Sequence, residues 1–315
     1  MENPLPIYIW GAPGIGKSDV VYQVATSLGF EARTLIASTC DPVDLRGVPK
    51  IVGENTVWCP PDFFRVEKDK KVLFFFDELN TATPAVQSAF YRIILQGKLD
   101  SIDISHCPRI GAGNRATDMA VVQRMPTPLV SRFQHYYLEA NNEDWKEWAY
   151  ANNIHPSVIS FLNFRPELLL KMPRDRDTPF PTPRTYEYLS RMIHVLGDEM
   201  GLEDISGCIG EGAAVEFKGF LDIFKDLPQS AKYVLDDNIK FDEPSRQYAV
   251  NGILANYFKD NQKRDVVNRM LKYSYGIPAE FAVVLIKDCI GINAQIVSTA
   301  QEYIDWSRKF KDVVL

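Results

Sequence analysis

The sequence predicts an α/β protein in which a parallel sheet is followed by a purely helical region. A glycine-rich motif, G-x-x-x-x-G-K-S from Gly11 to Ser18, lies between an apolar, β-prone stretch and a helical pattern. Strand-like and helix-like patterns alternate over residues 1–140, which is typical of a parallel sheet. After Glu139 only helical patterns occur, so the sheet is expected to end there.

The composition is that of an ordinary globular protein. The chain has 315 residues, of which 46% are hydrophobic and 24% are charged, enough for more than one core. The net charge is −6 and no block of lysine or arginine stands out, so binding to nucleic acid is not favoured. The five cysteines are far apart and odd in number, which supports neither a disulfide framework nor a zinc site. The apolar runs are too short to span a membrane and no leader pattern precedes the first strand, so we expect a cytoplasmic protein.

The glycine-rich motif predicts a phosphate-binding loop. A strand over Ile7–Trp10 precedes it, and a helical pattern from Val20 to Leu28 follows it. Glycines allow successive backbone N–H groups to point inward, and the start of the helix adds its positive dipole end. Lys17 supplies a cation for the β- and γ-phosphates of ATP, and the Ser18 hydroxyl suits Mg²⁺. The predicted nucleotide-binding residues are Ala12, Pro13, Gly14, Ile15, Gly16, Lys17, Ser18 and Asp19.

A strand is predicted at Ala32 to Ala37, followed by a turn-rich loop and a β-hairpin at Lys50 to Trp58. Two interpretations of the hairpin remain open. Its apolar side chains, such as Val52 and Trp58, either pack down onto the domain or belong to a protruding element that faces a substrate.

An acidic pair follows the most apolar predicted strand, which runs from Lys71 to Phe76. In open parallel sheets, ligands bind at the edge formed by the carboxyl ends of the strands. Asp77 is therefore predicted to hold Mg²⁺ through its waters. Glu78 is predicted to accept a proton from the attacking water. The alternative is that the pair only caps the next helix.

The remaining patterns complete the predicted architecture. Thr83-Pro84 opens a helix that Gly97 ends, and two further strands fit Arg109 to Ala112 and His135 to Leu138. We predict three parts: a sheet domain over residues 1–140, a helical lid over 141–230 and a helical extension over 231–315.

Six motifs together resemble the AAA+ ATPases, and most closely their MoxR-like branch. They are G-A-P-G-I-G-K-S, D-P-V-D-L-R-G-V-P, F-F-D-E-L-N-T-A-T-P, G-A-G-N-R-A-T-D, P-L-V-S-R-F and P-T-P-R-T. The resemblance covers about the first 200 residues. It implies a P-loop fold with a five-stranded sheet ordered 5-1-4-3-2 and an all-α lid. It also implies assembly of the chain with itself into a ring, usually a hexamer, with nucleotide between neighbouring subunits.

The resemblance also implies roles for three more residues. Asn114 matches the sensor-1 position, which orients the attacking water, although a G-N pair is also an ordinary turn. Arg132 matches the arginine finger that acts on the next subunit's nucleotide; Arg124 and, more weakly, Arg115 compete for that role. Arg184 matches sensor 2, which reaches the phosphates from the lid. Each of these arginines is alternatively an ordinary surface residue.

One departure from the family concerns adenine. In this sequence only Met1 to Pro6 precede the first strand, whereas related proteins carry a helix and loop there that cover the adenine, so we expect adenine to be held differently here. We expect residues after Glu139 and around Thr185 to build this pocket instead.

The predicted function is Mg²⁺-dependent ATP hydrolysis coupled to chaperone-like remodelling of a protein partner. The resemblance to MoxR-like proteins suggests a von Willebrand-type domain protein as that partner. The alternative is an AAA+ motor or loader acting on nucleic acid, which a basic stripe or a DNA-binding module would favour. No membrane partner is expected.

Overall fold

The computed structural model describes residues 4–67, 69–118, 123–173 and 177–311, so the first three residues of the short N-terminal stretch lie outside it. The chain forms two compact units, Met1–Glu139 and Ala140–Leu315.

The first unit is built on a five-stranded parallel sheet. Its strands are β1 (Ile7–Trp10), β2 (Glu31–Ile36), β3 (Val48–Val52), β4 (Asn55–Cys59), β5 (Val72–Asp77), β6 (Lys98–Leu99), β7 (Ile102–Asp103), β8 (Arg109–Gly113) and β9 (Gln134–Tyr137). Its helices are α1 (Lys17–Ser27), α2 (Pro42–Arg46), α3 (Pro84–Gln96) and α4 (Thr127–Val130). The sheet order is β2-β5-β8-β1-β9. When these five strands are numbered 1 to 5 along the chain and the sheet is read from the β9 edge, the order is 5-1-4-3-2, which confirms the prediction.

The strand β5 is buried on both faces of the sheet, from Val72 to Phe76. Successive side chains of a strand point to opposite faces of its sheet. Accordingly, Phe74 and Phe76 belong to a cluster that includes residues of α3, while Leu73 and Phe75 belong to a cluster that includes residues of α1. Because helices cover both faces, the strand is apolar throughout, as parallel strands usually are.

The helix α1 buries a narrower face than its sequence suggests. Val21 and Ala25 are buried, whereas Val20, Val24 and Leu28 are exposed. An apolar pattern alone does not distinguish these two sets, because both fit a helical period.

The predicted hairpin forms from β3 and β4, joined at Gly53 and Glu54. All of its strand residues are exposed, including Ile51 at 79% and Trp58 at 42%. None of these strand residues is buried, so the hairpin presents apolar side chains to solvent.

The described residues of the second unit form helices and loops, as predicted. The helices are α5 (Asn142–Ala151), α6 (Pro156–Phe164), α7 (Pro183–Leu196), α8 (Leu202–Asp226), α9 (Ala231–Asp236), α10 (Pro244–Asp260), α11 (Arg264–Ser274), α12 (Ala279–Ser298) and α13 (Tyr303–Lys309). The helix α8 is broken at Gly210, whose φ is 75°. A Cβ there would lie 2.4 Å from the Pro179 carbonyl oxygen, so glycine is the residue that fits.

One hydrophobic cluster runs through the second unit from Trp145 to Phe310. The predicted boundary between lid and extension, at residues 230 and 231, falls inside this cluster. A buried ion pair also joins the two predicted parts. Lys146 Nζ lies 2.8 Å from Asp288 Oδ1, and the other oxygen of Asp288 accepts from Tyr150 and Asn163.

Among the described helices, α12 is long and apolar enough, by length and composition only, to cross a membrane. Eight of its residues, including Phe281, Leu285 and Asp288, are buried within the second unit. Packing inside a protein core accounts for the apolar composition of this helix.

The second unit is expected to lose stability in acid through His155. Burial, followed by the nearby His194 and Lys225, lowers the pKa of His155 to about 4. The pKa of this histidine is 6.5 in the unfolded chain. The contribution of the neutral ring to the free energy of unfolding is therefore complete above pH 6.5, and it is lost as the pH falls toward 4. Between pH 7 and pH 5 the loss is about 2 kcal/mol.

Chemical denaturation of His155→Asn at both pH values measures this loss. Asparagine retains the helix cap that His155 provides for α6 through the Ser157 N–H. The variant should show a pH dependence smaller by about that amount. The exposed His106 of the first unit provides the control, His106→Asn, which should behave like wild type. An unchanged pH dependence in His155→Asn would contradict the assignment.

Candidate active site

The phosphate-binding loop joins β1 to α1 at the carboxyl edge of the sheet. Gly14 and Gly16 have φ values of 73° and 94°, a region that favours glycine. Gly16 is the N-cap of α1, an eleven-residue helix whose first backbone N–H groups are available to an anion. The loop therefore has the backbone curvature and the dipole that phosphate binding requires.

Lys17 is nearly buried, and its ammonium group is surrounded by oxygen atoms. Nζ donates to the Gly11 and Ala12 carbonyls, both at 2.9 Å, and to Asn114 Oδ1 at 2.8 Å. Phosphate oxygens are acceptors of the same kind. The structure thus brings the predicted sensor-1 residue next to the lysine of the loop.

Ser18 and Asp77 form a donor set that fits Mg²⁺. The Ser18 hydroxyl donates to Asp77 Oδ2 at 2.6 Å, while Asp77 Oδ1 accepts from the Glu78 N–H at 2.9 Å. Hydroxyl and carboxylate oxygens are the ligands that Mg²⁺ takes in nucleotide sites of this type. A bound Mg²⁺ would neutralise phosphate charge here.

Glu78 is exposed and has a φ of 54°, which is uncommon outside glycine. Its carboxylate accepts a hydrogen bond from the Ser38 hydroxyl. Sequence reasoning missed Ser38. The signal lies in the strand order: Ile36 of β2 pairs with Asp77 of β5, so the residues that follow each of them come together.

Asn80 is a second residue that sequence reasoning missed. It is 2% exposed, and its side-chain amide donates to the Asn114 backbone carbonyl at 2.8 Å. The G-N pair at 113–114 signals a turn, but nothing in the sequence indicates which side chain anchors it.

The arginine-finger candidates occupy three different environments. Arg132 follows α4, and its guanidinium lies 5.2 Å from the Tyr91 ring centroid and donates to the Pro128 carbonyl. Neither of these two partners belongs to the phosphate-binding loop. Arg115 is paired with Asp118 at 3.0 Å, and this hydrogen bond raises the pKa of Arg115.

Arg124, the remaining candidate, is exposed and borders a cavity of about 610 Å³. The other lining residues are Trp10, Asn80, Gln123, Met125, Thr127 and Val130.

Arg184 and Thr185 lie in the first turn of α7, in the second unit. Arg184 is exposed. Thr185 closes a capping box with Thr182, which explains the start of the helix. The predicted contacts of Arg184 with the phosphates and of the region around Thr185 with adenine remain predictions.

Comparison with protein-family models gives a match over residues 7–139 to the family described as AAA, ATPase family associated with various cellular activities. The first unit thus has the fold of P-loop AAA+ proteins. The match starts at β1 and ends just after β9, so it contains the sheet and the whole predicted phosphate site of the first unit.

Among curated proteins, this chain is similar to the Holliday junction branch migration complex subunit RuvB of Treponema pallidum (strain Nichols). The two are 26% identical over 140 residues, which cover 40% of this chain. The match spans about a third, 34%, of that relative's length.

Two solved structures from Thermotoga maritima are also similar. The RuvB Holliday junction branch migration motor has 15% identity and a TM-score of 0.40, covering 76% of this chain and 69% of its own. A point mutant of the same RuvB has 15% identity and a TM-score of 0.33, covering 98% and 81%. The curated relative does not confirm the MoxR-like branch, since RuvB points to a different branch of the AAA+ proteins.

Proposed function

We propose that this protein is a Mg²⁺-dependent ATPase that uses hydrolysis to move nucleic acid. The observation that carries the ATPase part is the arrangement of Lys17, Ser18, Asp77 and Glu78 around one phosphate-binding loop. In this proposal Lys17 binds the β- and γ-phosphates, while Ser18 and Asp77 hold the metal ion. Glu78 accepts a proton from the water that attacks the γ-phosphate.

The proposal of nucleic acid rests on the curated relative, which is a subunit of a Holliday junction branch migration complex. The composition argued against it, because the net charge is −6. Net charge describes the whole chain, however, and a motor needs positive potential only where the strand passes.

Protein remodelling is the second candidate, and the exposed hairpin of β3 and β4 favours it. Val48, Ile51, Val52, Val57 and Trp58 are all more than 40% exposed. Exposed apolar side chains grouped on one element are typical of surfaces that bind protein. The proposed von Willebrand-type partner rests on family resemblance alone.

Lys17→Ala tests the ATPase proposal. Loss of the cation at the β- and γ-phosphates should weaken ATP binding about a hundredfold or more. Titration calorimetry with a non-hydrolysable ATP analogue measures the affinity, and phosphate release measures turnover. Lys50→Ala, in the exposed hairpin, is the matched control and should bind normally. Unchanged affinity in Lys17→Ala would remove Lys17 from this role.

Stimulation of ATP hydrolysis distinguishes the two functions. The wild-type rate is measured with duplex DNA, single-stranded DNA and a four-way junction, each at low and high salt. A motor on DNA should be stimulated, and the stimulation should fall steeply as salt is raised. Hydrolysis that no nucleic acid changes, together with a partner that co-purifies with an ATP-locked variant, would favour remodelling of a protein.

A further inference from the structure

The buried amide of Asn80 connects three segments of the first unit. Asn80 comes three residues after Asp77, at the end of β5. Its Nδ2 donates to the Asn114 carbonyl at 2.8 Å, just after β8. Its own backbone carbonyl accepts from the Gln123 N–H at 2.7 Å, in the segment that leads to α4.

The hydrogen bond to Asn114 has a consequence for Lys17. Leu79 N–H donates to the Ala112 carbonyl at 3.0 Å, and Gly11 N–H donates to the Gly113 carbonyl at 3.3 Å, so the chain is anchored as far as residue 113. Asn80 extends this anchoring to residue 114. The Asn114 side chain then reaches Lys17 Nζ at 2.8 Å.

Gly113 makes room for this contact. A Cβ at position 113 would lie 2.0 Å from Asn80 Oδ1 and 2.2 Å from the Tyr8 hydroxyl oxygen. Because glycine has no Cβ, the Asn80 amide packs directly against the backbone before Asn114.

The side-chain amide of Asn80 is only partly satisfied by hydrogen bonds. Its Oδ1 is buried and has no hydrogen-bond partner in the described part of the chain. A buried acceptor without a partner destabilises a fold, so the hydrogen bond from Nδ2 is the contribution that this amide makes. That hydrogen bond goes to the backbone of Asn114, whose side chain contacts Lys17.

We propose that Asn80 is a positioning residue of the ATPase site. By holding the Asn114 backbone, it aims the Asn114 side chain at Lys17 and at the place where the γ-phosphate and the attacking water meet. This inference rests on the proposed function. Asn80 acts through Asn114 and not by contact with the reacting atoms.

Asn80→Leu and Asn80→Ala test the proposal. Leucine approximates the shape of the side chain without its donor, and alanine removes the amide without adding volume. Both variants should retain ATP affinity within about twofold and lose about tenfold to a hundredfold in kcat, since small displacements of catalytic groups have effects of this size. Thermal melting shows whether each variant is folded.

Gln87→Leu is the matched control. Gln87 is also fully buried, its Nε2 donates to a backbone carbonyl, that of Ala82, at 3.0 Å, and its Oε1 also has no partner among the described residues. Its contacts do not involve Asn114. The control should hydrolyse ATP at the wild-type rate.

A double-mutant cycle separates a positioning role from a general structural one. If Asn80 acts through Asn114, Asn80→Leu should cost nothing further in an Asn114→Ala background. Additive losses, or a wild-type rate in Asn80→Leu, would overturn the inference. Absence of ATPase activity in the wild-type protein would instead overturn the proposed function.

An NMR measurement that needs no ATP turnover tests the inference even if the wild-type protein has no ATPase activity. With ¹⁵N-labelled asparagine, the side-chain amide resonance of Asn114 is assigned from its loss in Asn114→Ala. It should shift in Asn80→Leu and in Asn80→Ala, and it should stay in place in Gln87→Leu. An Asn114 resonance that does not move in either Asn80 variant would overturn the inference.

Discussion

Arg132→Ala is expected to bind ATP with nearly wild-type affinity and to hydrolyse it about 10³–10⁵-fold more slowly. An arginine finger stabilises the charge that develops on the transferring phosphoryl group, and it acts in the transition state more than in the bound state. Affinity is measured by calorimetry with a non-hydrolysable analogue, and turnover by phosphate release.

Action of Arg132 on a neighbouring subunit remains a prediction, and the contacts of this residue within its own chain are compatible with it. Within one chain, the Arg132 guanidinium lies against Tyr91 and the Pro128 carbonyl, and neither belongs to the phosphate-binding loop. Arg92, which is exposed on α3 beside Tyr91, provides the control Arg92→Ala, and its rate should be unchanged. If Arg132→Ala hydrolyses ATP normally, the same measurement on Arg124→Ala tests the competing candidate.

Glu78→Gln is expected to retain ATP binding and to lose about 10²–10⁴-fold in turnover. The amide preserves the shape of the side chain and can still pair with the Ser38 hydroxyl, but it cannot take a proton from water. Single-turnover hydrolysis measures the chemical step directly. Glu54→Gln, in the exposed hairpin turn, is the control. A Glu78→Gln variant that hydrolyses near the wild-type rate would contradict the assignment of the base.

Mixing the two inactive variants tests whether Arg132 and Glu78 meet across subunits. A mixed interface can pair an intact Glu78 from one chain with an intact Arg132 from another, so some activity should return. Native mass spectrometry with a bound ATP analogue shows whether mixed oligomers form. Mixed oligomers without activity would place Arg132 in its own chain's site or outside the reaction.

Local patterns were sufficient to predict the elements that carry the site. The strand β5 is continuously apolar and the glycine motif has a fixed spacing, so both could be placed without tertiary information. The order of the five sheet strands followed from the family resemblance and is confirmed by the structure.

Contacts between distant segments could not be predicted in the same way. Ser38 and Glu78 meet because β2 and β5 are neighbours, and Asn80 and Asn114 meet because β5 and β8 are neighbours. Neither pair has a periodic or compositional signal of its own. Whether the hairpin is exposed could not be predicted from the sequence either, because alternating apolar residues fit a buried strand as well as an exposed one.

The buried pair of Lys146 and Asp288 sets a limit on how this chain can be shortened. Lys146 belongs to α5 and Asp288 to α12, so their positions in the sequence are far apart although their charged atoms lie 2.8 Å from each other. A fragment that stops at residue 230 would keep the lysine, lose its carboxylate and expose half of a shared core. Lys146 would then retain its ion pair with Glu143, a largely exposed carboxylate 3.0 Å away. A stable fragment therefore stops near Glu139 or continues through α12.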